Sequence, residues 1–89
     1  MKEDYRFECT CGACPEQYDI FRKSDNKYVG YIRCRWGCCV VLPVVDDKIQ
    51  WSKPIYTEYY ENGFQGVIED RDKVFDAAGK LLDDYFNEN

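Results

Sequence analysis

Only the C-terminal end of this chain carries helical periodicity. From about Asp70 to Phe86, the residues Val74, Phe75, Ala78, Leu81, Leu82, Tyr85 and Phe86 recur at three- and four-residue spacing. That spacing makes one apolar stripe. Asp70 stands where a side chain can cap the free amides of the first turn, and Asp72 complements the helix dipole. On the opposite face Glu69–Lys73 and Asp76–Lys80 are favourably ordered pairs four apart. Gly79 costs about 1 kcal/mol relative to Ala in a helix, and its place beside the stripe predicts a close approach to whatever the helix packs on. A lone helix buries its stripe against another layer, and the remainder of the chain reads as strands.

"YDIFR" (18–22) alternates loosely. "KSDNK" (23–27) has turn chemistry, because Ser, Asp and Asn bond locally to the backbone and tolerate left-handed conformations. In "YVGYIRCR" (28–35) the two-residue period puts Tyr28, Gly30, Ile32 and Cys34 on one face, with Val29, Tyr31, Arg33 and Arg35 on the other. "CCVVLPVV" (38–45) is apolar on both faces, as suits a strand covered on both sides or paired at an interface. Pro43 lacks an amide hydrogen, which predicts an edge position or a bulge there. After the turn "DDK" (46–48), Pro54 divides "IQWSKPIYTEYY" (49–60). Asn62-Gly63 is a hairpin signal that would fold "IYTEYY" back onto "FQGVI". The expected fold is α+β: an antiparallel meander of about four or five strands with the C-terminal helix packed on it. It forms one small domain, with a Cys-bearing N-terminal segment (1–17), the meander (18–68) and the helix (70–86).

A domain of 89 residues buries only roughly 60–65 % of the surface its unfolded chain exposes, so a metal, a cross-link or a partner would add useful stability. Aromatic residues make up 17 % of the chain, and their area compensates for its shortness. The start, "MKEDYRFECT", has charges where a signal peptide needs an apolar run, and no stretch is long enough for a membrane span. The expectation is a cytoplasmic protein that does not engage membranes.

The net charge of −5 is unevenly placed. Residues 1–57 carry nine Lys or Arg against eight Asp or Glu, whereas residues 58–89 carry three against nine. An acidic terminal third repels nucleic acid and favours basic protein surfaces. Its bland counterpart is a solvated helix face kept soluble by charge.

Six cysteines fall into two clusters, "CTCGAC" (9–14) and "CRWGCC" (34–39). Cys11-x-x-Cys14 has the reach of a zinc knuckle. With no histidine in the chain, a tetrahedral zinc site would take Cys11, Cys14, Cys34 and Cys38, with Cys9 and Cys39 as substitutes. A three-residue loop Arg35-Trp36-Gly37 sets Cys34 opposite Cys38, and a two- or four-residue loop sets it opposite Cys39. Reduced cysteines acting as small apolar residues are the competing reading, and disulfides are a third.

Catalysis finds little support. A cysteine or serine nucleophile lacks a histidine base, and no phosphate-cradling glycine loop is present. Non-enzymatic binding is expected instead. "YIRCRW" sets Tyr31, Arg33 and Arg35 on one strand face with Trp36 at its end, residue types that stack bases and hold phosphates. They are equally the favoured residues of protein hot spots, and cross-strand packing is the structural alternative.

"CTCGACPEQYDIF" followed by "VGYIRCRWG" resembles small proteins encoded in bacteriophages and prophages. The resemblance covers roughly the first half of the chain and brings no site residues with it. It implies an accessory product in a bacterial host cytoplasm, acting stoichiometrically on a host or defence protein. The leading expectation is an anti-CRISPR-like inhibitor that occupies a basic or nucleic-acid-binding protein surface. Asp72, Asp76, Asp83 and Asp84 would then stand in for phosphates as a nucleic-acid mimic. The alternative is a zinc-stabilised module that binds protein or single-stranded nucleic acid through Tyr31, Arg33, Arg35 and Trp36. On the first reading the charge of the chain argues against direct contact with nucleic acid.

Overall fold

The computed structural model describes residues 2–12 and 15–87. After a 3-10 turn (Lys2–Asp4) come β1 (Tyr5–Gly12), β2 (Glu16–Arg22), β3 (Lys27–Arg35), β4 (Cys38–Val45), β5 (Lys48–Ile49), β6 (Tyr56–Tyr59) and α1 (Arg71–Asn87). The strands form an antiparallel meander in the order β1-β2-β3-β4-β5, and β6 also pairs with β4. With the C-terminal helix on the sheet, this is the expected α+β fold.

The meander begins earlier than expected. β1 has a strand's alternation, with Tyr5 and Phe7 turned to the core and Arg6 and Glu8 turned away. Its charges made the segment read as a Cys-bearing lead-in, although such charges are ordinary on an edge strand. A bulge at β2–β3 leaves Val29 between the pairs Ile20↔Gly30 and Phe21↔Tyr28. Val29 therefore joins the helix-side core, while Tyr28 turns to the open side beside Phe21. The extra residue reverses the facing predicted for those two positions.

Pro43 explains the outer strand. The carbonyls of Val41 and Pro43 both point to the outer side of β4, where they accept the amides of Ile55 (2.9 Å) and Gln50 (2.9 Å). The missing amide of Pro43 faces the same side, so no ladder bond can form there. The outer strand stops at Ile49 and resumes at Tyr56, and the intervening residues leave the sheet. Proline is thus met inside the sheet, at a break in its neighbour.

The Asn62-Gly63 hairpin does not form, since β6 pairs with β4 and residues 64–68 are not a strand. Asn62 instead builds a local turn. Its side-chain oxygen accepts the Phe64 amide (2.9 Å) and its carbonyl accepts the Gln65 amide (3.0 Å). Neither residue is among those with positive φ, so the type I′ geometry behind the prediction is absent.

Asp70 caps the helix as expected, its side chain accepting the Lys73 amide at 3.2 Å. Val74, Ala78, Gly79 and Leu82 are the buried face, packed on Ile20, Val29, Ile32 and Val41. Phe7 stacks on Phe75 with ring centroids 4.3 Å apart. The two predicted i,i+4 pairs are replaced by longer-range ones: Lys73 reaches Glu58 at 2.6 Å and Asp76 meets Lys2 at 3.5 Å. Among the described residues no helix is long and apolar enough to cross a membrane.

Candidate binding surface

One face of the sheet carries the helix, and the other does not. A second, smaller cluster of Tyr31, Leu42 and Val44 lies on that open side, with Tyr28, Val40 and Ile49 around it. This fits the two-sided apolar character of β4. The excursion between β5 and β6 folds over part of this face through tight turns at Gln50–Lys53 and brings Trp51 edge-on to Tyr31, at 5.7 Å.

Alternation in β3 sends Tyr31, Arg33 and Arg35 together to this open face, as expected, while Ile32 and Cys34 enter the core. Between the excursion and the β3–β4 turn lies a groove of about 410 Å³ lined by Arg33, Arg35, Trp36, Cys38, Val40 and Trp51. A smaller cavity of about 160 Å³ continues it past Trp36 to Phe64. Among the described residues no carboxylate lines either cavity. The Nε of Arg33 is buried without a hydrogen-bond partner, and the Arg35 guanidinium lies 5.3 Å over the Trp36 ring.

The β3–β4 turn has two residues, Trp36 (φ 56°) and Gly37 (φ 70°), and it pairs Cys34 with Cys39 and Arg35 with Cys38. The three-residue loop is therefore excluded. Positive φ at both positions is type I′ geometry, for which Asn-Gly or Gly-Gly is the unstrained choice. A tryptophan there is an outlier costing about 1–2 kcal/mol. Gly37 is required twice over: a Cβ would lie 2.7 Å from the Asn62 carbonyl oxygen. Its amide donates to Gln65 O and its carbonyl accepts the Tyr60 amide, both at 2.8 Å. The turn is thus pinned beneath the 60–65 loop, with Trp36 and Phe64 held 6.2 Å apart. Among the described residues, Trp36, Trp51, Tyr59 and Phe64 are the large hydrophobic side chains left exposed. Trp51, Tyr59 and Phe64 escaped sequence reading because they sit in turns or at a strand end, where neither period applies. The one available signal was an aromatic between turn residues in "QWSKP".

The helix carboxylates lie on the other side of the sheet. Asp72 and Asp76 share Lys2 at 3.4 and 3.5 Å, and Asp83 accepts the Tyr5 hydroxyl at 2.5 Å. Asp84 is exposed. The structure therefore separates the acidic set from Tyr31, Arg33, Arg35 and Trp36.

The cysteines divide by face as well. Cys34 and Cys39 are adjacent, buried free thiols in the core, whereas Cys38 lines the open groove. Cys34 and Cys38 thus lie on opposite sides of the sheet, and Cys39 is the partner of Cys34. Cys9 is exposed, Cys11 is partly buried, and Cys14 lies outside the described residues. Among the described residues no group of three Cys, Asp, Glu or His side chains is placed to hold a metal ion. Burial pushes the Cys34 thiol up to about 11 and Cys39 up to about 12, which holds both protonated at neutral pH.

Comparison with protein-family models, with curated proteins and with solved structures finds no match.

Proposed function

We propose that this protein is a non-enzymatic recognition module of the phage accessory kind, acting by occupying a partner through the open face of its sheet. The observation that carries this reading is Trp36. A large, 63 % exposed aromatic sits at a turn position where Asn would be less strained, so folding alone does not account for it. Strain that local surface contacts do no more than balance is a pointer to binding. Around it lie arginines that form no ion pair among the described residues and further exposed aromatics, the residues that dominate binding hot spots. Capture of partners from bacterial lysate with the native protein and with Trp36→Asn tests the reading. Loss of the captured partner by a variant of unchanged thermal stability supports it, and full retention sinks it.

A second reading keeps the helix as a nucleic-acid mimic that inhibits a basic host or defence protein. The Asp72 side chain, 85 % exposed, favours it, because an exposed ion pair with Lys2 is readily exchanged for a cation on a partner. Asp72→Lys with Asp84→Lys would then abolish capture while Trp36→Asn left it intact.

A further inference from the structure

The occupant of the open groove follows from the chemistry of its walls. Trp36 and Trp51 stand near its two ends. Trp51 touches Tyr31, and Trp36 sits in the turn just past the end of the same strand, five residues on, or about 17 Å. Arg33 and Arg35 lie between them, their Cα atoms about 6.6 Å apart along the strand. Neither forms an ion pair with the described residues. A buried guanidinium Nε with no acceptor is a donor without its complement, and such groups are costly to leave unmade.

We infer that this groove binds single-stranded nucleic acid, with bases stacked on Trp36 and Trp51 and phosphates held by Arg33 and Arg35. This rests on the open-face reading above and adds the ligand class. Flat aromatics interleaved with arginines on an open antiparallel sheet face are what unpaired bases and their phosphates require. An acidic peptide would satisfy the arginines but would leave two separated indole faces without planar partners.

The overall charge of −5 does not oppose this locally. Asp72 and Asp76 project from a helix on the far side of the sheet. A sheet–helix spacing of about 10 Å plus a helix radius of about 5 Å exceeds the Debye length of about 8 Å at physiological salt. On the open side Glu8 is paired with Arg6 and Asp19 accepts the Tyr28 hydroxyl, and neither lines the groove.

Fluorescence anisotropy with labelled oligo-dT and oligo-rU, on the intact chain, tests the inference. Two phosphate contacts predict a single-strand salt slope of about −1.4, or roughly sevenfold weaker binding between about 50 and 200 mM salt. Arg35→Gln should halve that slope. Trp51→Ala, at an exposed turn position, should weaken binding roughly 5- to 150-fold, and Asp72→Lys should not weaken it. Absence of saturable binding, binding indifferent to Trp51→Ala, or equal displacement by a Glu/Tyr peptide would each overturn the inference. If oligonucleotides fail but Trp36→Asn still abolishes capture from lysate, the ligand class falls and the open-face reading stands. If both fail, both fall.

Discussion

Arg71 meets a carboxylate that has no exposed surface: its Nε lies 2.7 Å from Glu16 Oε2 and its Nη2 lies 3.0 Å from Oε1. Glu16 also accepts the Ile68 amide at 3.0 Å and the Tyr18 hydroxyl. The strand, the loop before the helix and the first helical residue thus converge on one side chain. The backbone bond from the Glu16 amide to Gly66 O, at 2.8 Å, runs alongside.

Glu16→Ala is therefore expected to destabilise the fold. Leaving the buried Ile68 amide without an acceptor alone costs about 1–3 kcal/mol, and Arg71 and Tyr18 lose their common acceptor with it. Glu16→Gln keeps an acceptor for Ile68 and should cost less. Urea midpoints at unchanged m-value measure both. Equal midpoints for Glu16→Ala and the native chain would remove this contact from the list of things that hold the helix in place.

Gly30 is a point of close approach between sheet and helix. A Cβ there would lie 3.0 Å from Ile20 Cδ1 and 3.0 Å from Leu82 Cδ1, and both side chains are fully buried with little room to yield. Gly30→Ala should cost about 1–3 kcal/mol by overpacking, and Leu82→Ala about 2–5 kcal/mol by leaving a cavity. Their combination should cost less than the two separately, because the new methyl enters the space that Leu82 vacates. Simple additivity in thermal unfolding would contradict the contact.

Trp36→Asn should leave stability within about 1 kcal/mol of the native chain, since the left-handed strain it relieves offsets the surface contacts it removes. A buried tryptophan would cost about 3–5 kcal/mol. Asp46 and Asp47 (φ 53° and 63°) occupy the other such turn. Asp47→Gly should change stability by less than about 1 kcal/mol, because Asp already tolerates the left-handed region and glycine adds unfolded-state entropy, read as a nearly unchanged melting temperature.

The core thiols give a signature in alkali. Burial first, and then neighbouring cysteine and Glu58 charge, raise Cys39 to about 12, and burial raises Cys34 to about 11. The folded state therefore holds these protons more tightly than the unfolded chain, whose thiols titrate near about 8.5. The stability this represents is fully present below about pH 8.5 and is lost as pH rises toward the folded values. Native-state alkylation followed by mass spectrometry should modify Cys9 first and reach Cys34 and Cys39 only in denaturant. Labelling of Cys39 as fast as Cys9 would show that the core is open.

The helix was legible because two independent signals, the stripe from Val74 to Phe86 and the cap at Asp70, agreed. Alternation likewise located β3 and put Arg33 and Arg35 on one face, and an apolar run on both faces located β4. Four features were not legible, each for its own reason. β1 was hidden by edge charges, and one unpaired residue at Val29 reversed the facing of its neighbours. Asn62-Gly63 carries a hairpin's residues, but the carbonyls of Gln65 and Gly66 accept the amides of Gly37 and Glu16 rather than pairing with β6. The groove itself depends on Trp51 being carried over the sheet, which is set by tertiary pairing rather than by any local period.

Pro43 acts at a distance from the groove as well. It leaves the outer rim of the sheet as two runs, Lys48–Ile49 and Tyr56–Tyr59, so a second copy finds no unbroken row of amides and carbonyls to zip onto. On that flank lateral growth into fibrils has no template. The residue that lifts an indole over the open face also keeps exposed aromatics from being recruited into a cross-β stack.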